Sequence, residues 1–388
     1  MNITYIIGNG FDIGLGLRTR YSDFIPHLKG ELESLLDASR SGVSEMESKV
    51  ASWILEAIKT HKQNFWSDAE IAFGELPFSE IANKANISIS DAVKLTHDRF
   101  IGSMQRWLND EVARANYSEL SDGIAQRMFM SNLFIGWIKE APKSTSDYFQ
   151  KLAREGGKVD FVSFNYTKTL EHLLPGSGED TFEVQYLNNK YNVRWGEVCH
   201  VHGTCAPQGQ ARQLVFGVDN NAQIVDENAN KDGEVRARLL KTEYQGYIGT
   251  GELGRAYQLI ENADVVALFG LSFGATDRYW WSLLARFISY PNKQLVIYPY
   301  ITDEHEIEES YDTIRYKYNM VTKVFASLEA SVIDNVRRGE IAAKISVPQP
   351  MLPLYGRGAQ GRCDFLNLSE MGKQLELYPR FGVSVRQG

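Results

Sequence analysis

Four short stretches of the sequence hold residues able to bind sugar and phosphate groups or to move a proton. His200-Val201-His202-Gly203 places two imidazoles two residues apart, so on a strand both share one face, and Gly203 leaves room for a ligand beside His202. An imidazole that titrates near neutrality can take a proton from a hydroxyl or a water, which is general-base work. Without Cys or carboxylate at ligand spacing, the pair makes a poor metal site, and no metal is expected. Ser163-Phe164-Asn165-Tyr166-Thr167 ends an apolar run that begins at Val159. There Asn165 can orient a water or a ribose hydroxyl, although Asn165 or Thr167 can equally cap the helix expected from Lys168. Gly8-Asn9-Gly10-Phe11-Asp12-Ile13-Gly14-Leu15-Gly16 and Leu268-Phe269-Gly270-Leu271-Ser272-Phe273-Gly274 are turns whose small residues let backbone approach a phosphate. Glycines that merely satisfy turn geometry would look the same.

These stretches need strands and helices to hold them. Ile3 to Ile7 reads as a buried strand running into its glycine turn, and strand character returns at Val159 to Phe164. Further strands are expected around Phe182 to Tyr186, Val193 to Trp195, Val198 to Val201, Leu214 to Phe216, Val265 to Phe269 and Leu295 to Tyr298. Apolar runs alternating with helical segments predict an α/β fold with a doubly wound, mostly parallel sheet whose strand ends open onto a common ligand crevice. From Ser22 to Gly156 apolar residues recur at three- and four-residue spacing, which predicts a helical insertion of roughly 125 residues after the first strand. The expected organisation is a core of residues 1–28 plus 156–345, an insertion over 29–155, and an irregular, Pro- and Gly-bearing tail over 346–388 packed on the core. Within the insertion, Trp66-Ser67-Asp68-Ala69-Glu70 reads as core packing with a capping residue. Asp277, after the second glycine turn, reads as capping or charging the helix N-terminus.

The 388 residues carry 49 Asp and Glu against 41 Lys and Arg, a net charge of -8, which argues against a protein built to coat phosphate backbones, so nucleic acid is not an expected partner. Cys199, Cys205 and Cys363 form a sparse, odd set that suits a reducing compartment. No stretch approaches the run of about 18 apolar residues that crosses a bilayer, and no leader is apparent, so a cytoplasmic location away from membranes is expected. A dehydrogenase is disfavoured: Ile13 occupies the third glycine position of the dinucleotide fingerprint, and no strand ending in an acidic residue follows some 20 residues later.

In order along the chain, the four stretches resemble the sirtuin-like NAD-binding proteins: Gly8-Asn9-Gly10-Phe11-Asp12 resembles that family's first turn, Phe164-Asn165-Tyr166 its Asn-bearing strand end, His202-Gly203 its His-Gly pair, and Gly270-Leu271-Ser272 its later turn. More narrowly, the first turn running into Gly16-Leu17-Arg18-Thr19-Arg20-Tyr21-Ser22-Asp23-Phe24, with Ser163 to Glu171 and His200 to Gly203, resembles the AbiH family of bacterial abortive-infection proteins. The resemblance implies a Rossmann-like, sirtuin-like core that takes NAD as substrate. It implies Asn165, His202 and Asp12 as catalytic residues, with His202 the base and Asp12 at the nicotinamide ribose or bonding nearby amides. Gly8, Asn9, Gly10, Phe11, Gly16, Gly203, Gly270 and Ser272 would line the dinucleotide. The zinc-binding cysteines of the deacylases are missing, which favours NAD hydrolysis over deacylation. The implied role is an antiviral NAD glycohydrolase held at low basal activity until a phage-derived trigger acts, with a homo-oligomer as a further partner. A nucleotide-sensing module without turnover and a nuclease are the alternatives, the second wanting clustered carboxylates for metal.

Overall fold

The structure, a computed structural model, describes residues 1–38, 45–60, 69–115, 134–141, 143–172, 174, 181–186, 189–205, 214–248, 251–271, 274–298 and 345–346. Ser272, Trp66 to Asp68 and nearly all of the 346–388 tail lie outside the described residues.

The strands are β1 Asn2–Ile7, β2 Gly157–Ser163, β3 Thr181–Tyr186, β4 Asn189–His200, β5 Val265–Phe269, β6 Gln294–Tyr298 and β7 Ile345–Ser346. They form one sheet in the order β3-β4-β2-β1-β5-β6-β7, with every neighbouring pair parallel except β3 with β4. The fold is therefore α/β with a mostly parallel sheet, and β1 lies in its middle because it is apolar on both faces. Ile3, Tyr5 and Ile7 pack with Val159, Phe161, Val265 and Ala267 beneath Trp137, Phe149 and Ala153. On the opposite face Ile6, Val162, Val266 and Leu268 meet Ala256 and Ile260 of helix Glu252–Asn262 and Leu284, Phe287 and Ile288 of helix Arg278–Ser289. The two-residue alternation of a strand thus becomes two cores, each closed by helices.

Between β1 and β2 the described residues hold helices and no strand, including Tyr21–Ala38, Glu45–Thr60, Ala69–Gly74, Phe78–Ala85, Ile89–Arg114 and Lys143–Arg154. Helix Ile89–Arg114 starts where the Ser88 hydroxyl accepts from the Asp91 amide at 3.0 Å, and it buries Val93, Phe100, Ile101, Met104, Trp107 and Leu108. At the centre of this helical body Phe73 packs edge-on against Phe78, Phe100 and Phe216. Truncating such a ring to alanine costs about 3–5 kcal/mol.

Leu214-Val215-Phe216 is not a strand. Leu214 and Phe216 pack in the helical body's core and the segment joins no sheet, since a three-residue apolar run cannot by itself distinguish strand pairing from burial under helices. Val193 to Trp195 and Val198 to His200 belong to one strand, β4, whose pairing with β2 shifts register between Val159 and Phe161, and Val201 lies just past its end.

Candidate functional site

Register fixes where the strand ends meet. Ile7 pairs with Ser163 and Phe269, and Ser163 pairs with His200, so Gly8, Phe164-Asn165, Val201-His202 and Gly270 all leave the sheet at one carboxyl edge. In a parallel sheet this edge is where ligands bind.

The two glycine turns lie against each other. The Gly10 amide donates to the Gly270 carbonyl at 2.8 Å, and a Cβ on Gly8 or Gly10 would come within 2.6 Å of Gly270 atoms. Gly270 has φ +66°, and a Cβ there would fall 2.6 Å from the Phe11 nitrogen. Close approach of two backbones therefore accounts for these three glycines. Gly16 and Gly203 hold left-handed turns at φ +80° and +73°. Asn9 spends its side chain on Thr19, its amide donating to the Thr19 carbonyl at 2.7 Å while its oxygen accepts from the Thr19 hydroxyl at 2.6 Å. Phe11 is buried edge-on against Phe269. Asn9 and Phe11 thus offer a ligand their backbone, not their side chains.

Asp12 and Asn165 differ. Both are buried. Asp12 Oδ2 accepts from the Thr167 hydroxyl at 2.6 Å, and the short 3-10 turn beyond begins only at Leu170, so Thr167 does not cap it. Asp12 Oδ1 and Asn165 Oδ1 are buried with no donor among the described residues. Burial pushes the Asp12 carboxyl up to about 6, with Thr167, Thr169 and Asn165 acting the other way and the charge of Glu171 adding to the rise. The neighbouring Cys205 thiol is pushed up to about 12 by burial and by Asp12, which removes it as a thiolate nucleophile.

The two histidines clasp the turn that carries Asn165. His202 Nδ1 lies 3.2 Å from the Phe164 carbonyl oxygen and His200 Nδ1 lies 3.3 Å from that of Asn165. Their other nitrogens face carboxylates: His202 Nε2 is 3.2 Å from Asp277, and His200 Nε2 is 2.8 Å from Glu171. Each ring nitrogen of His202 therefore faces an acceptor inside the protein, and neither offers a lone pair to the edge.

Behind His202 stands a buried charge cluster. Lys241 Nζ bridges Glu70 Oε2 at 2.6 Å and Asp277 Oδ1 at 3.0 Å, while the Thr276 and Tyr166 hydroxyls donate to Glu70 at 2.6 and 3.3 Å. The two carboxylates hold the Lys241 ammonium firmly charged despite its burial. Asp277 sits at the N-cap position of helix Arg278–Ser289 but makes no side-chain cap bond, and Glu70 is an ion-pair partner, not packing filler. Both carboxylates turn to the buried Lys241 ammonium. Lys241 was not foreseen, since nothing in Leu240-Lys241-Thr242 marks a buried lysine.

A cavity of about 250 Å³ lined by Asn2, Thr4, Lys158, Asp160 and Arg255 lies by the amino ends of β1 and β2, at the far end of the sheet from these residues. Among the described residues no group of three or more His, Cys, Asp or Glu is placed to hold a metal ion, and no helix is long and apolar enough to cross a membrane.

The family model for bacteriophage abortive infection AbiH matches residues 4–299. The chain belongs to the AbiH family. The matched stretch runs from β1 to the end of β6 and contains Asp12, Glu70, Asn165, His202, Lys241 and Asp277. Membership implies a part in phage abortive-infection defence. No curated protein matches this AbiH chain.

Proposed function

We propose that this AbiH chain is an abortive-infection effector that binds NAD across the carboxyl edge of a doubly wound, sirtuin-like sheet and hydrolyses its nicotinamide-ribose bond. The observation that carries the reading is the pair of buried acceptors, Asp12 Oδ1 and Asn165 Oδ1, that have no hydrogen-bond donor among the described residues. A buried acceptor without a donor costs about 1–3 kcal/mol, and here two such atoms belong to adjoining side chains at a ligand-binding edge. A water donates two hydrogens, and a ribose offers hydroxyl donors, so either satisfies them.

In the reaction, the bond between ribose C1′ and the nicotinamide nitrogen breaks, and its electron pair neutralises the pyridinium. The oxygen of a water held by Asp12 and Asn165 forms the new bond to C1′, and the proton it loses passes to Asp12. A carboxyl with its pKa near 6 is ionised at pH 7 and yet more basic than an exposed aspartate, which suits a general base, and its charge stabilises the oxocarbenium-like sugar. The base role expected of His202 thus passes to Asp12, and His202 holds the Asn165 turn in place. The diphosphate runs past the backbone of the paired glycine turns.

An ungated NAD hydrolase would poison its host, so low basal turnover that rises on addition of lysate from phage-infected cells belongs to the reading. The test is release of nicotinamide from NAD by the purified full-length chain and by folded Asn165→Ala and Asp12→Asn variants. Turnover by the wild type alone is expected. Equal turnover by the variants would remove both residues from the mechanism, and binding by calorimetry without product would favour a sensing module.

A further inference from the structure

The helical body between β1 and β2 reaches the reacting side chains by a continuous run of polar contacts. Glu70, on helix Ala69–Gly74, holds Lys241; Lys241 holds Asp277; Asp277 faces His202 Nε2; and His202 Nδ1 reaches the Phe164 carbonyl, one peptide before Asn165. Tyr166, immediately after Asn165, closes a second path, its hydroxyl donating to Glu70 at 3.3 Å and to the Val215 carbonyl at 3.0 Å. Thr276 adds a bond from beside Asp277 to Glu70. The members come from five separate parts of the chain; Glu70, His202, Lys241 and Thr276 are buried, and Tyr166 and Asp277 are partly buried.

The geometry points to a positioning relay: Glu70 and Lys241, which touch neither Asn165 nor Asp12, set the orientation of the Phe164-Asn165-Tyr166 turn through Asp277, His202 and Tyr166. This deepens the NAD-hydrolysis reading and rests on it for its kinetic arm. A salt-bridge cluster that served stability alone would need no contact with the Asn165 turn. Here both branches end on the residues flanking Asn165, one on the Phe164 carbonyl and one on Tyr166. The relay also gives the helical body a means of acting on the site, since a shift of helix Ala69–Gly74 relative to the sheet strains the bonds of Glu70 to Lys241, Tyr166 and Thr276.

The test uses the full-length double variant Glu70→Gln/Lys241→Met. It removes one charge of each sign and leaves Asp277 facing His202, so the fold is expected to survive with a melting temperature near that of the wild type. With NAD as probe, kcat is expected to fall about tenfold or more while KM holds, as when groups that position a reacting side chain are lost. A folded double variant with wild-type kcat would overturn the relay. Should the double variant fail to fold, Glu70→Gln alone deletes the charge but keeps oxygen acceptance, and it is read in the same way. If the wild type itself releases no nicotinamide, the NAD reading fails but the relay is still decided by nitrogen-15 spectra. In the variant the Asn165 side-chain amide and the His202 ring signals are expected to move, and unmoved signals would refute the relay.

Discussion

Replacing Asp12 by Asn should stabilise the protein while destroying its proposed activity, and the size of the gain should depend on pH in a defined way. In the folded chain the Asp12 carboxyl titrates at about 6 in place of the ordinary 3.8, chiefly because burial penalises its charged form. At roughly 1.4 kcal/mol for each tenfold change in acidity, that difference amounts to about 3 kcal/mol. The sign follows from which state holds the proton more tightly. The folded state does, so stability falls as pH rises from 3.8 through 6, and the penalty stands in full above about 6. Asn is isosteric, carries no charge, and can still accept from the Thr167 hydroxyl that Asp12 Oδ2 accepts from at 2.6 Å. Urea unfolding of wild type and Asp12→Asn at pH 8 and at pH 4 measures the effect. The variant is expected to be more stable by up to about 3 kcal/mol at pH 8, and the gap should narrow toward zero by pH 4. A variant less stable than wild type at pH 8, or an advantage that does not change with pH, would refute the claim that a buried, charge-penalised carboxylate sits at this position. Sites that sacrifice stability for chemistry behave in this way.

Three further outcomes follow from the same geometry. Thr167→Val removes the 2.6 Å hydroxyl hydrogen bond to Asp12, so stability should fall by about 1.5–3 kcal/mol at pH 8 and by less at pH 4, again by urea unfolding. Gly270→Ala forces an L side chain into φ +66° with its Cβ 2.6 Å from the Phe11 nitrogen, and thermal melts should show a loss of more than about 2 kcal/mol. His97 is buried with Nε2 3.2 Å from the Phe216 carbonyl and is held down to about 4, mainly by burial, so the fold favours its neutral form. The stability this contributes is present above pH 6.5 and is lost as pH falls toward 4, by about 3 kcal/mol, and His97→Gln should flatten that part of the acid-unfolding curve.

Much of the sheet could be read locally, because each parallel strand announces itself as a short apolar run with small residues at its end. Ile3 to Ile7, Val159 to Ser163 and Val265 to Phe269 pair as neighbours, and their carboxyl ends meet at one edge. Leu214 to Phe216 failed as a strand because burial under helices and burial in a sheet demand the same residues. The glycine turns were legible as glycine turns, but not that Gly8 and Gly10 need to be small because Gly270 is packed on them, a contact between residues some 260 positions apart. The Glu70–Lys241–Asp277 cluster left no trace in the sequence for the same reason. A lysine destined for the interior looks like any surface lysine until its two carboxylates arrive from distant segments, and Asp277 at a helix start looks like a cap until a cation draws it away. His202 was placed at the correct edge, but which way its ring nitrogens face depends on Phe164 and Asp277, and strand periodicity carries no information about that.

The central claim is that Asp12 and Asn165 form the seat where the nicotinamide ribose of NAD reacts, and a crystal structure of the Asp12→Asn variant grown with NAD tests it most directly. The nicotinamide ribose should lie at the carboxyl edge with its C1′ facing residues 12 and 165 and a donor within hydrogen-bond reach of the Asn165 side-chain oxygen. A dinucleotide bound elsewhere, or one at this edge with its adenine end against Asn165, would contradict the account.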